Sequence, residues 1–260
     1  MKKLSFLLGS LIILLVLPAG AQAEDCRFEK QIDLKLDVSE SEVLTVIAGA
    51  GKLVIVGATG LDEVVIKGTA CASKQEWLDE TVIEIRDGDI AKIEVGLPDT
   101  DSGWSFLTNR YAYLHLELVV PDKLRLDVVD SSGNMTLENV GELSVKDSSG
   151  SIKIKQVNGS VTLKDSSGSI SLANIEGDVT VLSDGSGSIF GSDITGSVLV
   201  KKDSSGGIRF EDVGGDFIVE KDSSGSIIAE RIGGDFRVLQ DTSGGIRFSD
   251  VAGEVSVPKD

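Results

Sequence analysis

From Asp130 onward the chain repeats one short phrase seven times, D-S-S-G-S-I-x-(F/I/L)-x-(D/N)-(I/V)-x-G-(D/S)-(V/F)-x-V-x-x. The copies begin at Asp130, Asp147, Asp165, Asp184, Asp203, Asp222 and Asp241. The spacing is 17, then 18, then 19 four times. A repeat that settles at one length reads as a stack, because each copy must lie in register on the last.

Aligned copies have five apolar columns. The first runs Met135, Ile152, Ile170, Ile189, Ile208, Ile227 and Ile246, and the fifth ends on Val219, Val238 and Val257. Apolar and polar residues alternate within each half-repeat, as in Ile208-Arg209-Phe210 and Phe217-Ile218-Val219. Period two with β-branched and aromatic residues predicts strands with one buried face. Two turns per copy follow. One is D-S-S-G, in which Asp accepts turn N–H groups and Gly closes. The other holds Gly159, Gly177, Gly196, Gly215, Gly234 or Gly253, expected in left-handed conformation. An antiparallel meander leaves a long apolar face uncovered, whereas a coil closes its own core. The expected fold is therefore all-β, a single-stranded right-handed parallel β-helix (β-solenoid) with about 19 residues per coil. Seven coils span about 34 Å. The second column ends Gly191, Phe210, Ala229, Phe248, so each ring has a small neighbour to spread over.

Residues 24–129 read as a less regular start of the same solenoid, with strand-like runs at 43–46, 53–56, 64–66, 82–85 and 93–95. This part caps one end of residues 130–260, and Pro258 and Lys259 block edge pairing at the other.

Residues 1–23 have the pattern of a cleaved secretory signal: Lys2 and Lys3, an apolar run from Leu4 to Leu17, then Ala21-Gln22-Ala23. An uncleaved anchor is the alternative. Nothing later is long and apolar enough to span a bilayer. The expected location is thus outside the cytoplasm, periplasmic or at the cell surface or secreted. Without Lys2 and Lys3 the chain has 23 basic and 42 acidic side chains, a balance of −19. That disfavours nucleic acid and anionic lipid as partners. Cys26 and Cys71 are the only cysteines, and in an exported chain they read as a disulfide closing a loop of about 45 residues. Two buried thiols are the alternative.

Little catalytic chemistry is visible. His115 is the only histidine and falls on an expected strand. Gly49-Ala50-Gly51-Lys52-Leu53 echoes a phosphate loop but lacks its spacing and hydroxyl. The segment 97–111 is loop-like and gathers Trp104, Phe106 and Tyr111 in a chain with 5% aromatic residues. It reads as a flap packed on the coil or as a partner-binding patch. In a coil the seven repeat Asp residues form a ladder along one edge. Carboxylates about 4.8 Å apart repel by roughly 0.9 kcal/mol in watery surroundings. Turn N–H groups and Lys146, Lys164, Lys202 and Lys221, which precede four of them, can offset this. Calcium held between coils is the sharper reading; the missing bidentate Glu and adjacent lysines speak against it. No other cofactor is expected.

The repeat, the segment Leu118-Val119-Val120-Pro121-Asp122-Lys123-Leu124-Arg125-Leu126 and the exported start resemble the bacterial putative-adhesin family of unknown function, akin to head-GIN adhesin-like domains. The resemblance covers roughly residues 40–257. It implies a single-chain β-helix outside the cytoplasm with an adhesin-like role, and it brings no catalytic residues. The expectation is a non-enzymatic binding or scaffold surface in the cell envelope, facing a glycan or an envelope protein. A structural element that associates end to end is the alternative, and a polysaccharide-cleaving β-helix is the rival from another class.

Overall fold

The structure, a computed structural model, describes residues 26–100 and 110–258. The expected signal at 1–23 and the blocking Lys259 lie outside the described residues.

Among these residues the chain forms 22 strands and one helix. The N-terminal part holds β1 (Phe28–Asp37), β2 (Val43–Ile47), β3 (Leu53–Ala58), β4 (Glu63–Ala72), α1 (Gln75–Glu80), β5 (Val82–Arg86), β6 (Ile90–Gly96) and β7 (Ala112–Pro121). Two strands per coil follow: β8 (Arg125–Val129) and β9 (Met135–Val140), β10 (Leu143–Lys146) and β11 (Ile152–Val157), β12 (Val161–Lys164) and β13 (Ile170–Ile175). The next coils are β14 (Val179–Ser183) and β15 (Ile189–Ile194), β16 (Val198–Val200) and β17 (Ile208–Val213), β18 (Phe217–Val219) and β19 (Ile227–Ile232). The last are β20 (Phe236–Val238) and β21 (Ile246–Val251), with β22 (Val255–Ser256).

Each coil gives one strand to each of two 11-stranded sheets. From β8 on, every pairing is parallel and joins equivalent residues: Ile189 lies opposite Ile170 on one side and Ile208 on the other. The expected β-solenoid is therefore present, with stacked parallel coils of about 19 residues. The alternation that predicted strands sets the faces. In β17, Ile208, Phe210 and Val213 are buried while Arg209 and Glu211 face outward.

The small-and-large order of the second column is used as expected. Gly191 lies opposite Phe210, and a Cβ on Gly191 would come within 2.2 Å of the Phe210 ring. The Phe210 ring lies tilted 5.0 Å from Phe217, which stacks 5.3 Å from Phe236. These rings fill the distal core, where coils closer to the start use Leu, Ile and Val.

The N-terminal part departs from a degenerate copy of the coil. β4 runs antiparallel to β7, β1 antiparallel to β4, and β5 antiparallel to β6. The reason is link length. Only residues 59–62 join β3 to β4, with Gly60 at φ 72°, and only 87–89 join β5 to β6, with Gly88 at φ 120°. A parallel return needs a dozen or more residues, so such short links reverse the chain. The order is also interleaved. The coil β2–β3 is sandwiched between β6–β7 and β8–β9. The Pro121-to-Arg125 link therefore carries the chain past the coil formed first, from one side of it to the other. β1 and β5 close the end of the two sheets, and α1 packs Trp77 and Leu78 beside β1 and β4.

Cys26 and Cys71 are bonded, with Cα atoms 5.6 Å apart. The bridge fastens the start of β1 to the end of β4, where Glu29 pairs with Cys71. The expected disulfide is thus present.

The second-turn glycines differ from expectation. Only Gly159 has positive φ, at 149°. The others are glycine because coils approach closely: a Cβ on Gly215 would come within 3.0 Å of the Gly196 backbone. Positive φ belongs instead to the D-S-S-G glycines and to one non-glycine column in the longer strands.

Candidate functional site

Two columns built by the stacking stand apart from ordinary core and surface, one inside the solenoid and one outside.

The inner column is the repeat aspartate. Expectation placed its carboxylates along an open edge; the structure turns them inward. Asp130, Asp147, Asp165, Asp184, Asp203 and Asp222 are at most 2% exposed, and only the terminal Asp241 is half-buried. In the shorter copies alternation continues past the strand, as in Val145-Lys146-Asp147 and Leu163-Lys164-Asp165, whereas the longer copies place one extra outward residue before the inward Asp. In Val219-Glu220-Lys221-Asp222 the strand ends at Val219, Glu220 and Lys221 both face outward, and Asp222 turns back in. The outward direction of the residue before each Asp corrects the role expected of the lysines. Lys146, Lys164, Lys202 and Lys221 are exposed, and no ion pair among the described residues joins them to the column.

Turn N–H groups satisfy part of the column. Ser148 N–H donates to Asp147 Oδ1 at 2.8 Å and Ser166 N–H to Asp165 Oδ1 at 2.7 Å. Both carboxyl oxygens of Asp130, Asp184 and Asp203 have no protein partner, nor has Oδ2 of Asp147, Asp165 and Asp222. Burial, reinforced by neighbouring carboxylates, pushes Asp130 and Asp184 up to about 7 and Asp147 and Asp203 to about 6. Asp165 and Asp222 are raised by burial as well. For Asp184 the opposing pull comes from the N–H groups of Gly185 and Ser186, nearby but outside hydrogen-bonding geometry. For calcium, the carboxyls stand in file: among the described residues no three His, Cys, Asp or Glu side chains gather where a metal ion could be held.

The outer column is Asn139, Gln156, Asn174, Asp193, Asp212, Arg231 and Asp250, all at φ 54–57°. Each follows the second apolar column by two residues, so two outward residues stand side by side, as the burial of β17 shows. A left-handed residue there lets the chain bend while the next Val or Ile returns to the core. Asn and Asp tolerate this conformation best among non-glycine residues. The signal lay in the consensus, as the D/N position before the third apolar column, where strict alternation breaks; the sequence reading passed over it.

These bends line a groove of about 920 Å³ that crosses the coils. Six coil steps from Asn139 to Asp250 make it about 29 Å long. Its other wall includes Asn158, Glu176 and Thr195. The near half of the left-handed column, Asn139, Gln156 and Asn174, is uncharged, and the far half has Asp193, Asp212 and Asp250. Asn139 Nδ2 donates to Gly57 O at 2.8 Å. Arg231 reaches back one coil and clamps Asp212 through two hydrogen bonds of 2.6 and 2.7 Å. That hydrogen bonding holds the Asp212 carboxyl below its usual range. Glu211 also receives Arg231 at 3.3 Å and Arg209 at 3.4 Å.

Of the expected aromatic patch, Trp104 and Phe106 lie outside the described residues. Tyr111 is anchored to the cap: its hydroxyl accepts Arg27 N–H at 3.1 Å, its backbone pairs with Ser73, and its ring lies 5.9 Å from Tyr113. His115 Nδ1 accepts Lys52 N–H at 2.9 Å, which uses both the histidine and the glycine-rich turn structurally.

Fold and groove define a two-sheet β-solenoid with a polar furrow along one corner. Solved structures similar to the chain include a putative cell adhesion protein from Clostridium sporogenes ATCC 15579, at 14% identity over 88% of this chain and 99% of that one, TM-score 0.30. A putative adhesin from Bacteroides fragilis NCTC 9343 is 13% identical over 88% of this chain and 97% of that one, TM-score 0.42. A putative lipid binding protein from Parabacteroides distasonis ATCC 8503 is 14% identical over the same shares, TM-score 0.36. No family model and no curated protein matches the chain.

Proposed function

We propose that this chain is a non-enzymatic, exported binding solenoid of the cell envelope, and that the groove along the left-handed column is where it holds its partner. The observation that carries this reading is the groove's regularity. One outward polar side chain per coil, seven in all at one backbone conformation and six of them exposed, offers evenly spaced hydrogen-bonding groups. Such a row suits an extended polar polymer, a glycan chain or an extended envelope polypeptide, better than a compact small molecule.

Cleavage of a glycan is the weaker reading. It needs a paired acid and base, the acid with a raised pKa, flanking the bond. In the groove Asp212 is held low by Arg231. The carboxyls that burial raises lie inside the solenoid, out of reach of a polymer.

The test is binding to a glycan array and to immobilised envelope fractions. Thr195→Trp fills the groove at mid-length without altering a left-handed residue. The outward Thr162→Trp on the opposite sheet is the control. Loss of binding in the first variant alone supports the groove; equal binding by both removes it.

A further inference from the structure

We infer that the inner aspartate column is a proton store: successive buried carboxyls share protons along the solenoid, and uptake of those protons tightens the fold as the surroundings acidify. Geometry carries this. Asp184, Asp203, Asp222 and Asp241 pair directly as parallel bridges, one coil apart. Six of the seven side chains are sealed from solvent. Isolated buried carboxylates are too costly to remain charged without partners, and here, among the described residues, neither a basic side chain nor a full set of N–H donors meets them. A protonated carboxyl supplies what is missing, since its O–H donates to an oxygen of the next carboxyl.

The charged groups facing the column are few. Asp147 faces Asp130 and Asp165; Asp184 faces Asp165 and Asp203; Asp222 faces Asp203 and Asp241. At the near end the residue in register beyond Asp130 is Ala48, which is apolar and buried. The flanking lysines point to solvent on the other side of the strand. Among the described residues no basic side chain therefore balances the column. The raised Asp130, Asp147, Asp184 and Asp203 agree with this placement.

The sign follows from linkage. In the unfolded chain these carboxyls release their protons in the ordinary carboxylate range, and in the fold they keep them to higher pH. The folded state then binds more protons in between, so stability falls as pH rises through that window.

The experiment uses the full chain without substitution. Infrared difference spectra from about pH 5 to about pH 8 should show the carbonyl band of un-ionised carboxylic acid disappearing, and Tm should fall by at least about 5 °C over that range. Asp184→Asn and Asp203→Asn should each shrink both changes, and the exposed Asp33→Asn should shrink neither. Absence of the acid band at about pH 5, or a Tm that rises with pH, overturns the inference. A Tm at about pH 8 that EDTA lowers and calcium restores overturns it too, because a metal rather than protons would then balance the column.

Discussion

Gly191 and Phe210 offer a test with a change of sign. They face each other across one coil step, and an added Cβ at 191 would come within 2.2 and 2.4 Å of two Phe210 ring atoms. The ring has little room to retreat, since Phe217 lies 5.0 Å away on the other sheet. Gly191→Ala in the natural background should therefore cost about 1–3 kcal/mol by overpacking. Phe210→Ala should cost about 3–5 kcal/mol by opening a cavity. With the ring gone, the same Gly191→Ala meets open space. It should then be neutral or stabilising by about 0.5–1 kcal/mol, the ordinary advantage of Ala over Gly within a strand. Urea unfolding of the four proteins closes the cycle, with an expected coupling of about 1–4 kcal/mol. Additive effects, with Gly191→Ala equally harmful in both backgrounds, would refute interlocking of small and large residues between coils.

Further outcomes follow from the same contacts. Gly206→Ala should lose at least about 2 kcal/mol, because φ is 127° and the new Cβ would overlap the Gly187 carbonyl, while Gly245→Ala, with nothing within 4 Å, should be tolerated. Asp203→Asn should stabilise the protein at about pH 8 by up to about 3 kcal/mol and much less at about pH 5, since its carboxyl is held to about 6 against an unfolded value near 3.9; thermal melts at both pH values read this directly. Cys26→Ser should cost about 2–4 kcal/mol, with hydrogen exchange in β1 and β4 speeding up before that of the regular coils. Arg231→Asn should let the Asp212 carboxyl titrate at higher pH, visible in carboxyl-carbon NMR shifts, and leave the left-handed bend intact.

The regular half was legible in the sequence because stacking imposes one rule on every copy. Column identity at Ile189 and Ile208, strand period and turn placement all follow from that rule. What escaped was set by direction rather than by pattern. Alternation does not say whether Asp203 at a strand end still turns inward, and polar residues are ordinarily placed outside, so a buried acidic column reads as an exposed ladder. The left-handed column was written in the consensus, but as one extra polar residue it passed for surface. Gly215 and Gly234 read as left-handed because that is the common reason for glycine, whereas close approach between coils is the reason here. The interleaved cap could not be read at all. β2 and β3 look like any two strands, and their place between coils formed later in the chain depends on long-range pairing that no local pattern encodes.

Groove and acidic column both exist only if equivalent residues of consecutive copies sit one coil step apart. Paired cysteines at outward positions test this most directly. Thr162 and Thr180 are register partners on β12 and β14, and Leu199 on β16 lies one step further. Thr162→Cys with Thr180→Cys, about 4.8 Å apart, should cross-link under mild oxidation, as mass spectrometry of the digested protein will report. Thr162→Cys with Leu199→Cys, about 9.6 Å apart, should stay reduced. A first pair that resists oxidation while the second locks would contradict the stack.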